Sequence, residues 1–415
     1  MNPSSLVYEI QRGRSAHRIA YFSPLPPART GIANYSSELL EQLASAADLT
    51  LFAANPLKTD PEFAKRYNIR PISDYAESRW DFDCAVYQVG NSLHHREIYE
   101  VAIRYPGVVV LHDLGLHHFI GEITTGSGKF SDYVREMAYA GGVGGAESAW
   151  QVRFDQKAPP IYEMPLNDRL LERSQVIITH SNYVASALGS RFPDRKVDII
   201  PQLVKIRPGR SKRRDLNIKE DTLIFAAAGF ITQDKHIDLT LRAVSRLLKE
   251  GRDVFLLLIG QAMPEIDIDG LIDQYNLAES SKYVGFAEDM DSFIDWIATA
   301  DVIVNLHHPT VGETSASVLR SLSLDRPVIV FDEGWYSELP DTVCWKVTPM
   351  DYDHFLHVMD EVAGNLDQVV QKGKNAQKYI KETCDPEKIA DLYLQAIDNY
   401  LARIYAKFVG APSSE

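Results

Sequence analysis

The stretch DVIVNLHHPTVGETSASVLRSLSLDRPVIVFDEGW (301–335) decides the fold. Two runs within it, DVIVNLH (301–307) and PVIVFD (327–332), are apolar at nearly every position. Strands buried on both faces need that pattern, and such strands belong to parallel sheets. Between them, ETSASVLRSLSL (313–324) carries apolar residues at i, i+3 and i+4 spacing, which is a helix with one buried side. Strand, helix, strand in this form is a crossover unit.

The same alternation extends in both directions. Upstream in the second half, strands are predicted at TLIFAAAGF (222–230), VFLLLIG (254–260) and KYVGFA (282–287), and downstream at CWKVTP (344–349). The first half repeats it at RIAYFS (18–23), LTLFAA (49–54), CAVYQV (84–89), GVVVLH (107–112), QVIITHS (175–181) and VDIIPQL (197–203). Helical patterns separate these runs, as in GIANYSSELLEQLASAA (31–47) and SNYVASALGSRF (181–192). The fold class is therefore α/β, with two Rossmann-like, doubly wound parallel-sheet domains. Residues 204–220 hold Pro, Gly and six basic residues within Lys205–Arg214 without a hydrophobic period, and read as an interdomain linker. The segment from Phe119 to Pro165, broken by GGVGG (141–145), reads as helices and loops covering a cleft. Beyond the last strand the chain is helical, with residues 385–407 amphipathic.

Length and composition agree. The 415 residues suit two domains, and 45% hydrophobic with 24% charged residues is a globular balance. The net charge of −14 is uneven, about −3 over residues 1–200 and about −11 over the rest. Such acidity excludes a generic nucleic-acid binder, whose affinity rests on neutralising phosphates, and argues against broad adhesion to anionic lipid. Cys84, Cys344 and Cys384 form no metal or disulfide pattern. The first 18 residues show no apolar run of signal length, and no stretch approaches a membrane span. The expected location is the cytoplasm, with a local patch docking peripherally at the inner membrane face left open.

Open parallel sheets bind ligands at the carboxyl ends of their strands, so the loops there are the candidates. Gly31 opens the helix after the first strand and allows backbone N–H groups to approach an anion or sugar; a plain turn is the alternative. His112 and Asp113 end the fourth strand, where the imidazole can meet a sugar hydroxyl and the carboxylate can orient it, unless Asp113 caps a helix. Adjacent histidines (94/95, 117/118, 307/308) lack the spacing of metal ligands, and no metal site is expected. In the second half, Gly229 permits the turn before Lys235, a point charge suited to a diphosphate. Gly312, Glu313, Thr314 and Ser315 precede a helix whose first N–H groups suit phosphate.

Taken in order, SPLPPARTGIANYS, LHD (111–113), HSNYVASAL, IPQLV, GFITQDKHID, LLLIGQ, YVGFAED and GETSASVLRSLSLDRPVIVFDEGWYSELP resemble glycosyltransferase family 4, of the GT-B fold. That resemblance covers nearly the whole chain. It implies a retaining, metal-independent enzyme that moves a hexosyl group from a GDP- or UDP-sugar to a glycan, glycolipid or other hydroxyl acceptor, in cell-surface polysaccharide synthesis. It further implies an acceptor domain at 1–207, rejoined by the helix 385–409, and a donor domain at 208–384. His112, Lys235 and Glu313 would be catalytic; Gly31, Gly229, Gly285, Phe286, Gly312, Thr314 and Ser315 would help hold the donor. Asp113 and His117 would lie on the acceptor side.

Two departures stand out. The family's second glutamate, which binds the donor ribose, falls at Ser321 or Arg320, and its arginine before the lysine falls at Phe230. These substitutions support an alternative, a catalytically silent GT-B binding or scaffold protein. A GT-B epimerase or phosphorylase is a third reading.

Overall fold

The computed structural model describes residues 16–409, with side chains to 404. Most of the amino-terminal stretch read for a secretion signal lies outside them. Contacts divide the chain into two compact units. Unit 1 runs to Leu203 and takes in Val311–Thr314 and the chain from Pro386; unit 2 holds Val204–Thr310 and Ser315–Asp385.

Unit 1 contains strands β1 (His17–Phe22), β2 (Ala47–Ala53), β3 (Asn68–Pro71), β4 (Cys84–Val89), β5 (Val108–Leu111), β6 (Val176–Thr179) and β7 (Val197–Ile199). They form one parallel sheet in the order β3-β2-β1-β4-β5-β6-β7. Every residue of β4, β5 and β6 is buried, as their largely apolar composition demands, with Gln88 and Thr179 the polar residues among them. One face packs the helices Gly31–Leu43 and Pro386–Val409 through Leu39, Leu40, Tyr393 and Ile397. The other face packs Ile98, Tyr99, Phe119 and Leu170.

Unit 2 contains β8 (Leu223–Ala228), β9 (Val254–Ile259), β10 (Ser281–Gly285), β11 (Val302–Asn305), β12 (Val328–Phe331) and β13 (Cys344–Val347). Their order is β10-β9-β8-β11-β12-β13, again parallel. Leu241, Val244, Phe355 and Met359 cover one face; Ile297, Val318, Leu322 and Ile380 cover the other. Each fully buried Leu, Ile or Phe side chain contributes about 1.5–3 kcal/mol. Strand order reverses direction between β1 and β4 in the first sheet and between β8 and β11 in the second. Ligand crevices form beside such switch points.

Two local features differ from the sequence reading. Strand β3 has no apolar run: it is a short edge strand, Asn68-Ile69-Arg70-Pro71, where a proline costs no central ladder bond. The GGVGG segment interrupts the helical stretch Phe130–Arg153 as expected: two helices meet there at Gly142, whose φ of +58° and ψ of −142° are not helical. The basic stretch after Leu203 is no loose linker. It is strapped to the helix Met290–Thr299 and its flank: Arg207 pairs with Asp291 (3.0 Å), the Arg210 amide donates to Asp295 (2.7 Å) and Arg213 pairs with Asp301 (2.7 Å). Gly209 permits the close fit, since a β-carbon there would lie 2.5 Å from Ala298 Cβ.

Candidate functional site

At the carboxyl edge of the second sheet, glycine allows two loops to touch. Gly229, with φ +101°, ends β8, and its carbonyl would lie 2.0 Å from a β-carbon on Gly260, which ends β9 with φ +138°. The space over Gly229 is occupied by Lys235, whose Nζ stands 3.0 Å from where a β-carbon would be and 3.4 Å from Ala228 O. Ser317 Oγ lies 3.4 Å from the same point. Ser317 and Ser315 hydroxyls are 3.1 Å apart, and Ser315 Oγ accepts from Val318 N (3.3 Å) as the cap of the helix Ala316–Ser323. An ammonium, two hydroxyls and a helix start thus gather around one glycine, a set of donors suited to an anion.

Groups beside this concavity complete it. Asn305, at the end of β11, is 3% exposed and lines a small pocket with Gly229 and Lys235. Its side-chain Nδ2 has no hydrogen-bond partner among the described residues. Asp234, adjacent to Lys235, forms an ion pair with His307. Burial would raise the Asp234 carboxyl, but the hydrogen bond and charge of His307, with help from Thr232, hold it well below the usual carboxylate range. Phe230 and Phe286 are 46% and 41% exposed, with ring centroids 6.3 Å apart. An apolar ring, Phe230, therefore stands where the resemblance places an arginine.

The carboxyl edge of the first sheet is built differently. His112 is buried, with Tyr35 edge-on at 5.1 Å and His180 at 4.8 Å between ring centroids. Both its ring nitrogens are engaged: Nε2 is 2.7 Å from the Gln88 side-chain amide and Nδ1 is 3.2 Å from His180 Nε2. Burial, then the neighbouring His180, keeps its pKa well below the ordinary histidine range, and burial takes His180 to about 4.

The proton positions follow from the far end of this chain. His180 Nδ1 lies 2.8 Å from the Ile200 carbonyl and must donate to it, so neutral His180 offers a lone pair at Nε2. His112 then carries its proton on Nδ1 and accepts at Nε2. Gln88 Oε1 placed opposite that nitrogen would oppose two lone pairs and leave Gln88 Nε2 buried without a partner. Turning the amide gives His112 Nε2 an N–H donor. The Tyr393 hydroxyl is 2.7 Å from Tyr35 Oη.

The remaining candidates distribute as follows. Asp113 neither orients His112 nor caps a helix; its Oδ2 accepts from Asn91 N (2.8 Å), and the next helix begins at His117. Gln88 and His180 orient His112 instead, because the parallel register places them on its face of the sheet. His117 is buried with Nδ1 2.7 Å from Met164 O and Nε2 2.8 Å from Tyr133 Oη. Gly31 starts the helix capped by Thr30, and a β-carbon on it would meet nothing within 4 Å. Gly312, Glu313 and Thr314 group with unit 1, where Glu313 Oε2 accepts from Val311 N (3.1 Å). Ser315, Gly229, Gly285 and Phe286 belong to unit 2 with Lys235. Ser321 is fully buried and donates to Ser317 O (2.8 Å), and Arg320 is buried as well.

Two parallel-sheet units with switch points at β1/β4 and β8/β11 match solved structures over almost their whole length. Anabaena HepE (Alr3699) in complex with UDP aligns with TM-score 0.65 at 12% identity, covering 92% of this chain and 100% of that one. The fold is GT-B. Sucrose-phosphate synthase from Thermosynechococcus elongatus aligns over 95% of this chain and 100% of its own, with TM-score 0.63 and 16% identity. WaaG, a glycosyltransferase involved in lipopolysaccharide biosynthesis, aligns over 90% and 99% with TM-score 0.57 and 13% identity. Within the GT-B chain, residues 220–365, nearly all of them in unit 2, match the family model "Glycosyl transferases group 1". No curated protein matches the sequence.

Sequence reasoning overlooked Gln88, His180, Asn305 and Ser317, and it weighed His308 only as a metal ligand. Asn305 had a signal: it is a polar residue ending an otherwise apolar strand, at the switch point. Ser317 lies two positions into a helix whose start was already under suspicion.

Proposed function

We propose that the protein is a retaining glycosyltransferase moving a hexosyl group from a UDP- or GDP-sugar to a hydroxyl of a glycan or lipid-linked acceptor. The observation that carries this reading is Lys235 folded over Gly229 beside Ser317 and a capped helix start, inside the segment that matches the group 1 model. Glycosyl transfer leaves a nucleoside diphosphate, and its developing charge is the main electrostatic demand. An ammonium with helix-start N–H groups meets that demand in place of a metal ion. HepE, a protein of the same fold, is known in complex with UDP and with UDP-glucose.

In this reading Phe230 and Phe286 give the nucleotide an apolar surface, and residues 285–289 read the base through backbone. Gly31 allows close approach of phosphate or acceptor, since nothing within the protein occupies its β-carbon position. Glu313, Gly312 and Thr314 serve the sugar and phosphate. His112 serves as a neutral ring that orders the strand ends of unit 1; a direct bond to sugar would break its contact to Gln88 or His180. Asp113 and His117 belong to the acceptor side. Cys84, Cys344 and Cys384 are buried free thiols, which suits a reducing cytoplasm. No helix among the described residues is long and apolar enough to cross a membrane.

The test is calorimetry and turnover with a panel of UDP- and GDP-hexoses. Transfer or slow hydrolysis supports the reading, and absence of binding by every nucleotide sugar overturns it. A silent GT-B scaffold is the second reading, motivated by Phe230 and the buried Ser321. Turnover by wild type that Lys235→Ala abolishes eliminates it.

A further inference from the structure

His308 follows β11 and Glu333 follows β12, neighbouring strands with Asn305 opposite Val330. Their loops therefore rise side by side at the carboxyl edge of the second sheet. His308 Nδ1 stands 2.7 Å from Glu333 Oε2. A carboxylate only accepts, so Nδ1 carries a proton and donates, which in the imidazole form leaves the lone pair on Nε2.

The arrangement is held from several directions. The His308 amide donates to Asp234 O (2.8 Å), and its carbonyl accepts from His236 Nε2 (2.8 Å). The ring stands edge-on to buried Phe331, at 6.3 Å and 89°. Glu333 is fixed by its turn, its amide donating to Phe331 O (2.9 Å) and its carbonyl accepting from Tyr336 N (3.1 Å). The two side chains nevertheless stay 30% and 27% exposed. The backbone of His308 is thus tied to Asp234, the neighbour of Lys235.

Polarity identifies the ligand. The ammonium, hydroxyls and helix start near Gly229 are donors and select an anion. His308 Nε2 and the second oxygen of Glu333 are acceptors beside a negative charge, so they repel phosphate and select hydroxyl groups. A diphosphate joined to a polyhydroxylated ring presents these two demands in sequence. Two adjacent acceptors suit the vicinal hydroxyls of a pyranose.

We propose that the His308–Glu333 pair binds hydroxyls of the donor hexose, His308 Nε2 and Glu333 Oε1 each accepting one hydrogen bond. The site rests on the reading of the protein as a glycosyltransferase with its diphosphate at Lys235. It distinguishes a sugar nucleotide from the nucleoside diphosphate left after transfer.

The experiment is titration calorimetry of wild type, His308→Ala, Glu333→Gln and Lys235→Ala with UDP, UDP-glucose, GDP and GDP-mannose. Expected for both His308→Ala and Glu333→Gln is an affinity loss of about tenfold for the hexosyl nucleotides, with UDP and GDP affinities unchanged. Lys235→Ala should weaken all that wild type binds. Equal loss for hexosyl and free nucleotides, or no loss, overturns the hexose site alone. Failure of wild type to bind any of the four overturns the proposed function and the site with it. Glu333→Gln is isosteric, so it keeps the test decisive should His308→Ala unfold.

Discussion

The carboxyl edges of the two sheets use the same side chains to opposite ends. In unit 1, His112, His117 and His180 are buried with both ring nitrogens engaged inside the protein. In unit 2, His308 is oriented by one carboxylate and keeps a partly exposed face, and Lys235 leans over a glycine. A buried polar chain bonded within itself holds the strand ends together; a set of oriented and accessible groups can recognise something else. Histidine at a strand end is therefore no evidence of a ligand until its partners are counted.

The largest effect that would sharpen this contrast is at Lys235. Lys235→Ala should lower turnover on a hexosyl nucleotide by at least about 10²-fold, as expected for loss of a charge facing a leaving group, while the melting temperature holds. The reverse pattern is expected at His112. His112→Ala strands Gln88 and His180 and should destabilise by about 1–3 kcal/mol in denaturant titrations, whereas His308→Ala should cost under about 1 kcal/mol. Equal costs at the two histidines would break the comparison.

Acid should separate the units too. Burial pushes His95 and His180 to about 4, against about 6.5 in an unfolded chain. Between those values the unfolded chain binds more protons, so stability is full above about pH 6.5 and falls as pH drops toward 4. Hydrogen exchange at pH 7 and pH 5 should show unit 1 losing protection first, by on the order of a kcal/mol or more. The smallest effect is Gly31→Ala. Its added methyl meets only open space, so stability should change by less than about 1 kcal/mol, and weaker nucleotide binding would then report a ligand close to that backbone.

Much of the fold was legible because burial on both faces writes itself as consecutive apolar residues. VFLLLIG and PVIVFD could be little else. Strand β3 left no such mark, since an edge strand with Pro71 and Arg70 need bury only part of one face. The strap after Leu203 looked like a linker because its partners, Asp291, Asp295 and Asp301, lie some 80 positions onward in the chain. They also show where part of the second half's negative charge is answered. Lys235 and Ser315 were recognisable from local loop chemistry. The Gln88–His112–His180 chain was not, because periodicity reports that a residue is buried and is silent on which residue of a neighbouring strand it meets.

The Tyr35–Tyr393 hydroxyl pair joins residues 358 apart in the chain, across the helices Gly31–Leu43 and Pro386–Val409. During synthesis, the sheet of unit 1 emerges before unit 2, yet the helix that seals one of its faces emerges after it. Unit 2 has nearly all its segments in hand earlier, within residues 204–385. The first half of the chain must therefore wait, with Leu39 and Leu40 uncovered, until residues 386–409 have been made. A premature stop before Pro386 would leave unit 2's own segments complete and unit 1 with an open apolar face, a nascent product fit for chaperone capture rather than for catalysis.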